Sequence, residues 1–386
     1  MRLAPLLIPA LLAACAKGTV PAAAEPPFAI QPVATFDEPW AMAFLPDGRM
    51  LVTEKKGSLR VVTAQGQKSP PVAGTPRVDY GGQGGFGDVA LSPDFRNDGL
   101  VYLSWAEAGE GDTRGAAVGR AKLVIGPGAQ GGRLEGLQVI WRQEPKTTGR
   151  GHYSHRLAFS PDGRFLFIAA GDRQKITPAQ DPDQLLGKIV RLTPTGGIPS
   201  DNPNYDQGRI RAQWWSTGHR NILGMAFDAQ GRLWEVEHGP AGGDELNLVK
   251  RGANYGWPVV SNGDHYDGRP IPRHRTRPEF EAPKVTWNPV IAPGDMAFVT
   301  GPMFRAWNGN LLVAGLGSQA LVRVTFAGES AREAERFEFE NRLRDVTMGP
   351  DGAIWLLEDG EGGRLLRLTP KAGAPRQAAT RQAAAR

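Results

Sequence analysis

The sequence contains a single cysteine, Cys15, among 386 residues. A disulfide within the chain is therefore excluded, because it would need a second cysteine. Long helical periodicity is also missing, since glycine (50 residues) or proline (32 residues) interrupts nearly every window of helix length. After the first residues there is no apolar run long enough to cross a membrane. These absences, with 40% hydrophobic residues to build a core, indicate a turn-rich all-β protein.

The chain also lacks a strong excess of charge in its main body. Lys and Arg number 45 against 40 Asp and Glu, which gives a formal charge of +5. Arg2 and four basic residues at the end of the chain account for that whole excess: Lys371, Arg376, Arg381 and Arg386. A neutral body offers no basic face, so nucleic acid is not expected as a partner. The tail 371–386, rich in Ala, Arg and Gln, is predicted to be disordered.

The first residues read MRLAPLLIPALLAAC, a basic start followed by a short apolar stretch. This pattern predicts an export signal over residues 1–14. The segment LAAC ending at Cys15 resembles a bacterial lipobox, in which the cysteine is lipidated and becomes the mature N-terminus. An ordinary secretory signal cleaved after Ala24 is the alternative. In both cases we expect a periplasmic protein, with membrane contact only through a lipid anchor on Cys15, and a linker over residues 15–35.

One phrase occurs six times: a short apolar run, a turn and a second apolar run. The copies begin at Met42, Val89, Leu157, Met225, Pro302 and Val346. Their turn glycines are Gly48, Gly99, Gly163, Gly231, Gly309 and Gly352, spaced by 51, 64, 68, 78 and 43 residues. Glycine in a turn between strand-like runs is a strong hairpin signal, because it takes positive φ without a Cβ clash. Hairpins at this period predict a six-bladed β-propeller, a single all-β domain over residues 36–370.

The densest loop follows the fourth phrase and carries HGP at 238–240, GDELN at 243–247 and NYGWP at 254–258. Glycine and proline leave backbone carbonyls without ladder partners, and a hard cation such as Ca²⁺ prefers such oxygens. From the residues alone, Asp244 and Glu245 can equally well cap a turn.

These three motifs resemble the signature of the soluble pyrroloquinoline quinone (PQQ)-dependent sugar dehydrogenases, the glucose/sorbosone dehydrogenase-like family of six-bladed propellers. The resemblance extends over residues 36–370 in the right order. It implies that the carbonyls of Gly239 and Pro240 bind the Ca²⁺ that holds the cofactor, and that Asp244 lies close to the quinone.

The third phrase is preceded by GRGHYSH, in which His152 matches the catalytic base of the family. An imidazole suits this role because its pKa is near neutrality. His152 and His155 also form a His-x-x-His pair, but no acidic residue or cysteine stands at zinc-ligand spacing nearby. The family has a small residue at the position of His155, so we expect this histidine to narrow the sugar site.

Five further residues match cofactor-binding positions of the family. Gln83 lies in a glycine-rich loop that could also be only a flexible turn. Arg220 and Asn221 precede the fourth phrase, where an arginine can polarise the carbonyl that accepts hydride. Arg342 and Arg344 lie two apart on a predicted strand and so share a face. Their planar guanidinium groups suit the carboxylates of the cofactor, although surface charges without a role are the alternative.

The chain departs from the family pattern at several positions. Leu223 stands where a glutamine is common, and Gly317 stands where better-known members carry a lysine that reaches the cofactor. We expect Arg173, after the third phrase, to bring a compensating positive charge toward the channel. Trp40 and Trp257 are expected to pack between blades rather than stack on a sugar.

The sequence therefore predicts an enzyme that oxidises aldoses at the anomeric carbon to lactones, with PQQ and Ca²⁺ as cofactors. Electrons would pass to a respiratory acceptor. Two alternatives remain: a Ca²⁺-dependent lactonase or other hydrolase, and a ligand-binding propeller without catalysis. A hydrolase would need several carboxylates or asparagines around the metal, whereas these loops are richer in arginine and histidine.

Overall fold

The computed structural model describes residues 25–371. The predicted export signal, Cys15 and residues 372–386 lie outside these residues. The described part is almost entirely β and forms six antiparallel sheets. Its helical content is the four-residue helix α1 (Phe95–Asp98) and four short 3₁₀ turns: Thr177–Gln180, Arg211–Gln213, His274–Thr276 and Arg305–Trp307. Within residues 25–371, no helix has the length and apolar character needed to cross a bilayer.

The strands follow one another along the chain as successive sheets. The chain begins with β1 (Phe28–Asp37), and the first sheet then has β2 (Pro39–Phe44), β3 (Met50–Glu54) and β4 (Ser58–Val62). The second sheet has β5 (Phe86–Leu91), β6 (Leu100–Ala108), β7 (Arg114–Ile125) and β8 (Gly132–Arg142). The third has β9 (Ser154–Phe159), β10 (Leu166–Ala170), β11 (Lys188–Leu192) and β12 (Trp214–Thr217). The fourth has β13 (Ile222–Phe227), β14 (Leu233–Glu237), β15 (Asp244–Leu248) and β16 (Val285–Trp287). The last two have β17 (Pro293–Phe298), β18 (Leu311–Gly315), β19 (Ala320–Ala327) and β20 (Ser330–Glu338), then β21 (Leu343–Met348), β22 (Ile354–Glu358) and β23 (Glu361–Pro370).

The sheets form a closed ring. The first strands of successive sheets, β2, β5, β9, β13, β17 and β21, contact one another in order, and β21 returns to β2. Each sheet is therefore one blade, and these six strands surround the axis. The prediction of an all-β, six-bladed propeller is confirmed. Five blades have four strands, whereas the described part of the first blade has three, β2 to β4.

The ring is closed by the N-terminal strand. β1 pairs antiparallel with β23, from Phe28 opposite Pro370 to Asp37 opposite Glu361, and so completes the sixth blade. The prediction of a linker up to residue 35 was therefore wrong for residues 28–35. The sequence shows these residues only as a mixed polar and apolar run, because their partner lies more than 320 positions later. The backbone N–H of Lys371, assigned to the tail, also donates to the carbonyl of Pro27.

The turn glycines of all six phrases have positive φ, between 66° and 86°, as their sequence context predicts. Five phrases coincide with the first two strands of a blade. The fifth does not: its first apolar run, from Pro302, forms a loop containing the 3₁₀ turn Arg305–Trp307. The true first strand is β17, which pairs with β18 across an intervening segment of twelve residues, 299–310. Because the true connection is this long, the sequence pattern assigned the first strand of the fifth hairpin to a segment that is in fact a loop.

The core lies between neighbouring blades. Six clusters of buried hydrophobic side chains each join two adjacent blades, for example Leu51 with Leu103 between the first and second. Because side chains alternate along a strand, each blade presents one apolar face to the blade before it and one to the blade after it. This packing holds the axial strands, and the loops that follow them, in a fixed arrangement.

Candidate functional site

All six axial strands carry a β-bulge at the same register. In β2, for example, Pro39 pairs with Glu54 and Ala41 with Thr53, so Trp40 is left without a partner. Bulges of this kind redirect side chains and are common beside active sites. The unpaired residues are Trp40, Leu223, Gly294 and Arg344 in four strands, and the pairs Gly87–Asp88 and His155–Arg156 in the other two. The repeated hairpin therefore gives one equivalent position per blade at the axis.

Four of these redirected side chains line a single cavity of about 220 Å³. The cavity is bounded by Trp40, His155, Leu223 and Arg344 from the bulges, with Glu38, Lys55, Gln83, Tyr153, Ser154, Asn221, His238, Leu316, Arg342 and Asp359. The lining therefore brings together Gln83, Asn221, Arg342 and Arg344, which the family resemblance selected from distant parts of the sequence.

In four of the strands, a charged residue in the bulge or directly after it belongs to a buried ionic cluster. Arg156 contacts three carboxylates: its Nη1 lies 3.1 Å from Asp345 and 3.4 Å from Asp88, and its Nε lies 3.3 Å from Asp295. Burial raises the pKa of all three carboxyl groups above the ordinary value, although Arg156 works in the opposite direction. One guanidinium thus joins blades two, three, five and six beside the cavity.

Two arginines of the cavity share one carboxylate. The Nε atoms of Arg342 and Arg344 lie 2.9 and 2.8 Å from the two oxygens of Asp359. Burial disfavours the charged form of Asp359, but the charges of the two arginines outweigh this effect and lower its pKa. Both guanidinium groups are therefore on the same side of the strand, and their remaining N–H groups can bind an anion.

His152 is held by contacts from two directions. Its backbone N–H donates to the side-chain oxygen of Gln83 at 2.6 Å, and its Nδ1 lies 2.7 Å from Oδ1 of the buried Asp172. The residue has φ of +48°, which is uncommon for a side chain with a Cβ. Gly171 allows this turn, because a Cβ there would overlap the carbonyl of His152. His152 is not itself a lining residue, but it is bonded to Gln83 and followed by Tyr153, both of which line the cavity, and its Nε2 makes no hydrogen bond to any described residue.

Arg220 and Asn221 are positioned through their backbone. Both N–H groups donate to one carboxylate oxygen of Glu237, at 2.6 and 3.2 Å. The guanidinium of Arg220 donates to the carbonyl of His238 and to the hydroxyl of Tyr266, and its buried Nε has no partner among the described residues.

Glu237 belongs to a buried group with His219 and Glu235, whose ligand atoms lie within 4.8 Å of one another. Burial disfavours a charged imidazole, but the two carboxylates outweigh it and raise the pKa of His219 to about 9. Glu237 of this group accepts from the backbone N–H groups of Arg220 and Asn221, so the group supports both residues.

The loop after β14 is rich in carbonyl oxygens. A Cβ on Gly239 would overlap the carbonyls of Gly242 and Gly243, so the chain passes itself very closely here. Both oxygens of Asp244 are bound by backbone N–H groups, from Gly239 at 2.8 Å and Ala292 at 2.6 Å. Asp244 therefore fixes the loop that contains Gly239 and Pro240 to the neighbouring blade, and is not itself part of the cavity lining.

The sequence predicted that Arg173 brings its charge toward the channel, but its side chain is not part of the cavity lining. Its guanidinium is buried, donates to the carbonyls of Gly151, Arg114 and Gly149 at 2.6 to 2.8 Å, and lies over the ring of Tyr153. A charged side chain can satisfy its donors with carbonyls beneath the surface, and the sequence does not show where those carbonyls lie.

Three residues depart from the family pattern, and the structure shows the position of each: Leu223, Gly317 and His155. The side chain of Leu223 lines the cavity, while its carbonyl accepts from Arg156 at 2.6 Å. A Cβ on Gly317 would lie 2.9 Å from that of Ala292, so a lysine would not fit here without a shift. His155 lines the cavity with its ring stacked on Tyr153, and burial and two nearby arginines lower its pKa to about 3.

The two tryptophans contact protein groups rather than standing free. Trp40 lines the cavity and lies under the guanidinium of Arg156, at 4.2 Å. Trp257 donates from its indole to Asp172 and packs on Ala179 and Ile271.

Sequence reasoning missed Asp172, Asp359, Lys55 and Glu38. The first three follow the second strand of a phrase, but the sequence shows no partner for them. Lys55 now supplies a cation of the cavity lining, with its Nζ 3.6 Å from Glu38.

Known proteins resemble this chain over most of its length. The model of the glucose/sorbosone dehydrogenase family matches residues 36–367. The aldose sugar dehydrogenase YliI of Escherichia coli K12 is 38% identical over 341 residues, which cover 87% of this chain and 91% of that protein.

Solved structures agree with this assignment. A crystal structure of a glucose dehydrogenase superposes with a TM-score of 0.84 at 41% identity, covering 89% of this chain and all of the other. The PQQ-bound aldose sugar dehydrogenase of Streptomyces coelicolor gives 0.71 at 28% identity, covering 89% and 98%. With its closed ring of six blades and its cavity of matching residues, the chain belongs to the glucose/sorbosone dehydrogenase family.

Proposed function

We propose that this protein oxidises aldose sugars at the anomeric carbon to lactones, using PQQ held by Ca²⁺. The observation that carries the proposal is the His152–Asp172 pair beside a cavity whose lining includes three cations, Lys55, Arg342 and Arg344. A base next to an anion-binding cavity is what the oxidation of a neutral sugar by an anionic cofactor requires.

His152 removes the proton of the anomeric hydroxyl. With Nδ1 bonded to Asp172, Nε2 is the nitrogen that accepts the proton, and the carboxylate stabilises the imidazolium that forms. Loss of this proton from oxygen and of hydride from the anomeric carbon converts the hemiacetal to the lactone. The cofactor would supply the hydride acceptor, and the positive charge of Arg220 would stabilise negative charge on the accepting group.

The residues of the cavity fit a tricarboxylate cofactor. Arg342 and Arg344 of the lining have N–H groups beyond those bonded to Asp359. Arg220 lines a neighbouring pocket with Gly239 and Pro240, and its buried Nε has no partner among the described residues. Lys55 adds a further cation to the lining, while Gly317 stands where better-known members of the family carry a lysine. When bound, PQQ supplies the two-electron acceptor, while the protein supplies position and charge.

Gly239 and Pro240 would hold the Ca²⁺ through their carbonyl oxygens. The crowding of the carbonyls of Gly242 and Gly243 around Gly239 supports a site built from hard oxygen ligands. Asp244 fixes this loop through Gly239, so it would act on the metal site through the backbone.

We also propose a cellular location and an electron acceptor for the enzyme. The export signal ending at Cys15 would place the enzyme in the periplasm, anchored through a lipid on that cysteine, and the electrons would pass to a quinone or another respiratory acceptor. Replacing Cys15 by serine and fractionating cells tests the anchor: release from the membrane fraction supports it, and unchanged membrane association contradicts it.

Reconstitution tests the activity. Apoprotein is mixed with Ca²⁺ and PQQ and assayed for dye reduction with a panel of aldoses, beside a His152→Asn variant and a sample treated with EDTA. We expect reduction that depends on PQQ and Ca²⁺, and an activity of His152→Asn lower by at least about hundredfold. PQQ binding without any turnover would support a binding propeller, and lactone hydrolysis without dye reduction would support a hydrolase.

A further inference from the structure

The proposed function assigns the chemistry to His152 and Arg220, and Trp257 contacts Asp172, the partner of His152, as well as Arg220. Its indole Nε1 donates to Oδ2 of Asp172 at 2.7 Å, while Oδ1 of the same carboxylate binds His152. The guanidinium carbon of Arg220 lies 5.2 Å from the centre of the indole ring. One side chain therefore links the partner of the base and the arginine.

Trp257 itself is held rigidly. Its backbone N–H donates to the carbonyl of Gly218 at 2.9 Å, and its carbonyl accepts from the side chain of Gln180 at 2.7 Å. The side chain is buried against Ala179 and Ile271. A rotation of the indole would break its packing and its bond to Asp172, so its N–H points in a fixed direction.

The carboxylate of Asp172 depends on this direction. Oδ1 accepts from the backbone N–H of Gln174 at 2.8 Å as well as facing His152, whereas the bond from Trp257 is the hydrogen bond that Oδ2 makes among the described residues. Without the indole N–H, Oδ2 would be buried without a donor, and the carboxylate could rotate away from His152. The backbone N–H of Asp172 also donates to the carbonyl of Arg220 at 2.9 Å, which couples the two groups further.

We propose that Trp257 is a positioning residue for the sugar oxidation, which orients Asp172 through its N–H and supports Arg220 through its ring face. This role rests on the proposed function and adds to it a residue outside the cavity lining. A packing role alone would make the effect of losing the N–H independent of Asp172.

A double-mutant cycle distinguishes the two roles. The variants are Trp257→Phe, which keeps a ring but removes the N–H, Asp172→Asn, and both together. Trp234→Phe is the matched control, because the indole of buried Trp234 also donates to an aspartate, Asp228 at 2.9 Å, but packs in the core between the fourth and fifth blades. The measurements are kcat and KM with glucose, PQQ titration of the apoprotein, and thermal unfolding.

We expect Trp257→Phe to lower kcat by about tenfold to hundredfold, the effect of a lost hydrogen bond to a charged group. KM and PQQ affinity should change by less than about threefold, and Trp234→Phe should retain kcat within about twofold of wild type. In the Asp172→Asn background, Trp257→Phe should cost less than about twofold more, because the two residues act as one unit.

An equal loss from Trp257→Phe in both backgrounds, or no loss in the wild-type background, would overturn the proposal. If Trp257→Phe does not fold, Gln180→Ala decides instead, since it frees the carbonyl of Trp257 and should lower kcat about threefold to tenfold only when Asp172 is present. Wild-type protein that binds no PQQ and reduces no dye would instead refute the proposed function, and the positioning role with it.

Discussion

The Nδ1 atom of His152 lies 2.7 Å from Oδ1 of Asp172, although the two residues are 20 positions apart and a whole hairpin separates them in the sequence. His152 precedes β9 and Asp172 follows β10, so the antiparallel pairing of these strands brings them to the same end of the blade. The bond assigns a separate task to each ring nitrogen: Nδ1 to the carboxylate and Nε2 to the substrate. Several measurable consequences follow from this and from the neighbouring contacts.

Replacing Asp172 by asparagine should lower kcat by about hundredfold to ten-thousandfold. The amide has nearly the same shape but cannot stabilise the imidazolium, and it can favour the wrong tautomer of His152. Steady-state kinetics with glucose measures the change. Binding of PQQ, followed by titration, serves as the control and should remain within about threefold, since Asp172 is not part of the cavity lining. A kcat within threefold of wild type would contradict the role of the pair.

Replacing Arg344 by lysine should weaken PQQ binding by at least about tenfold. A lysine keeps the charge but lacks the planar fork that binds Asp359 and a carboxylate together. Arg342→Lys is the comparison variant, because the side chain of Arg342 is half exposed whereas that of Arg344 is 11% exposed. Quenching of tryptophan fluorescence during PQQ titration measures both. Equal affinities for the two variants would argue against Arg344 as the stronger anchor.

Replacing Arg173 by alanine should leave PQQ affinity unchanged and reduce stability. Three carbonyls would lose their donor in a buried place, which costs about 2–4 kcal/mol of unfolding free energy. Urea denaturation measures the stability, and PQQ titration of the folded variant measures the affinity. A variant with tenfold weaker PQQ binding and normal stability would restore the cofactor role expected from the sequence.

Replacing Asp345 by asparagine should raise thermal stability more at pH 8 than at pH 4.5. Burial raises the pKa of Asp345 in the folded protein above its value near 3.8 when unfolded. A carboxyl group with a raised pKa makes its favourable contribution at low pH and loses it as the pH rises from about 4. Two other buried carboxylates, Asp88 and Asp295, remain to pair with Arg156.

Thermal unfolding across this pH range should show a gain of about 1–3 °C at pH 8 and almost none at pH 4.5. An equal gain at both pH values would mean that packing, and not ionisation, causes the effect.

Much of the site could be predicted because the resemblance to a known family selected its residues, which lie at fixed places in a repeated hairpin. Gln83, Asn221, Arg342 and Arg344 each precede or begin an axial strand, and all four line the cavity. Arg173 holds a similar place after a strand, yet its side chain turns into the protein, because local carbonyls accept its donors. Whether a loop side chain turns inward or toward the axis depends on such contacts, which the sequence does not display.

The sequence by itself determined five of the six hairpins, since turn glycines and alternating apolar residues act over a few positions. Only the tertiary structure decided how the ring closes and which groups pair across it. β1 completes the sixth blade through bonds to β23, and Trp257 of the fourth blade donates to Asp172 of the third. These contacts join residues 85 to more than 300 positions apart, and no local preference specifies them; they form because closing the ring buries the apolar faces of adjacent blades.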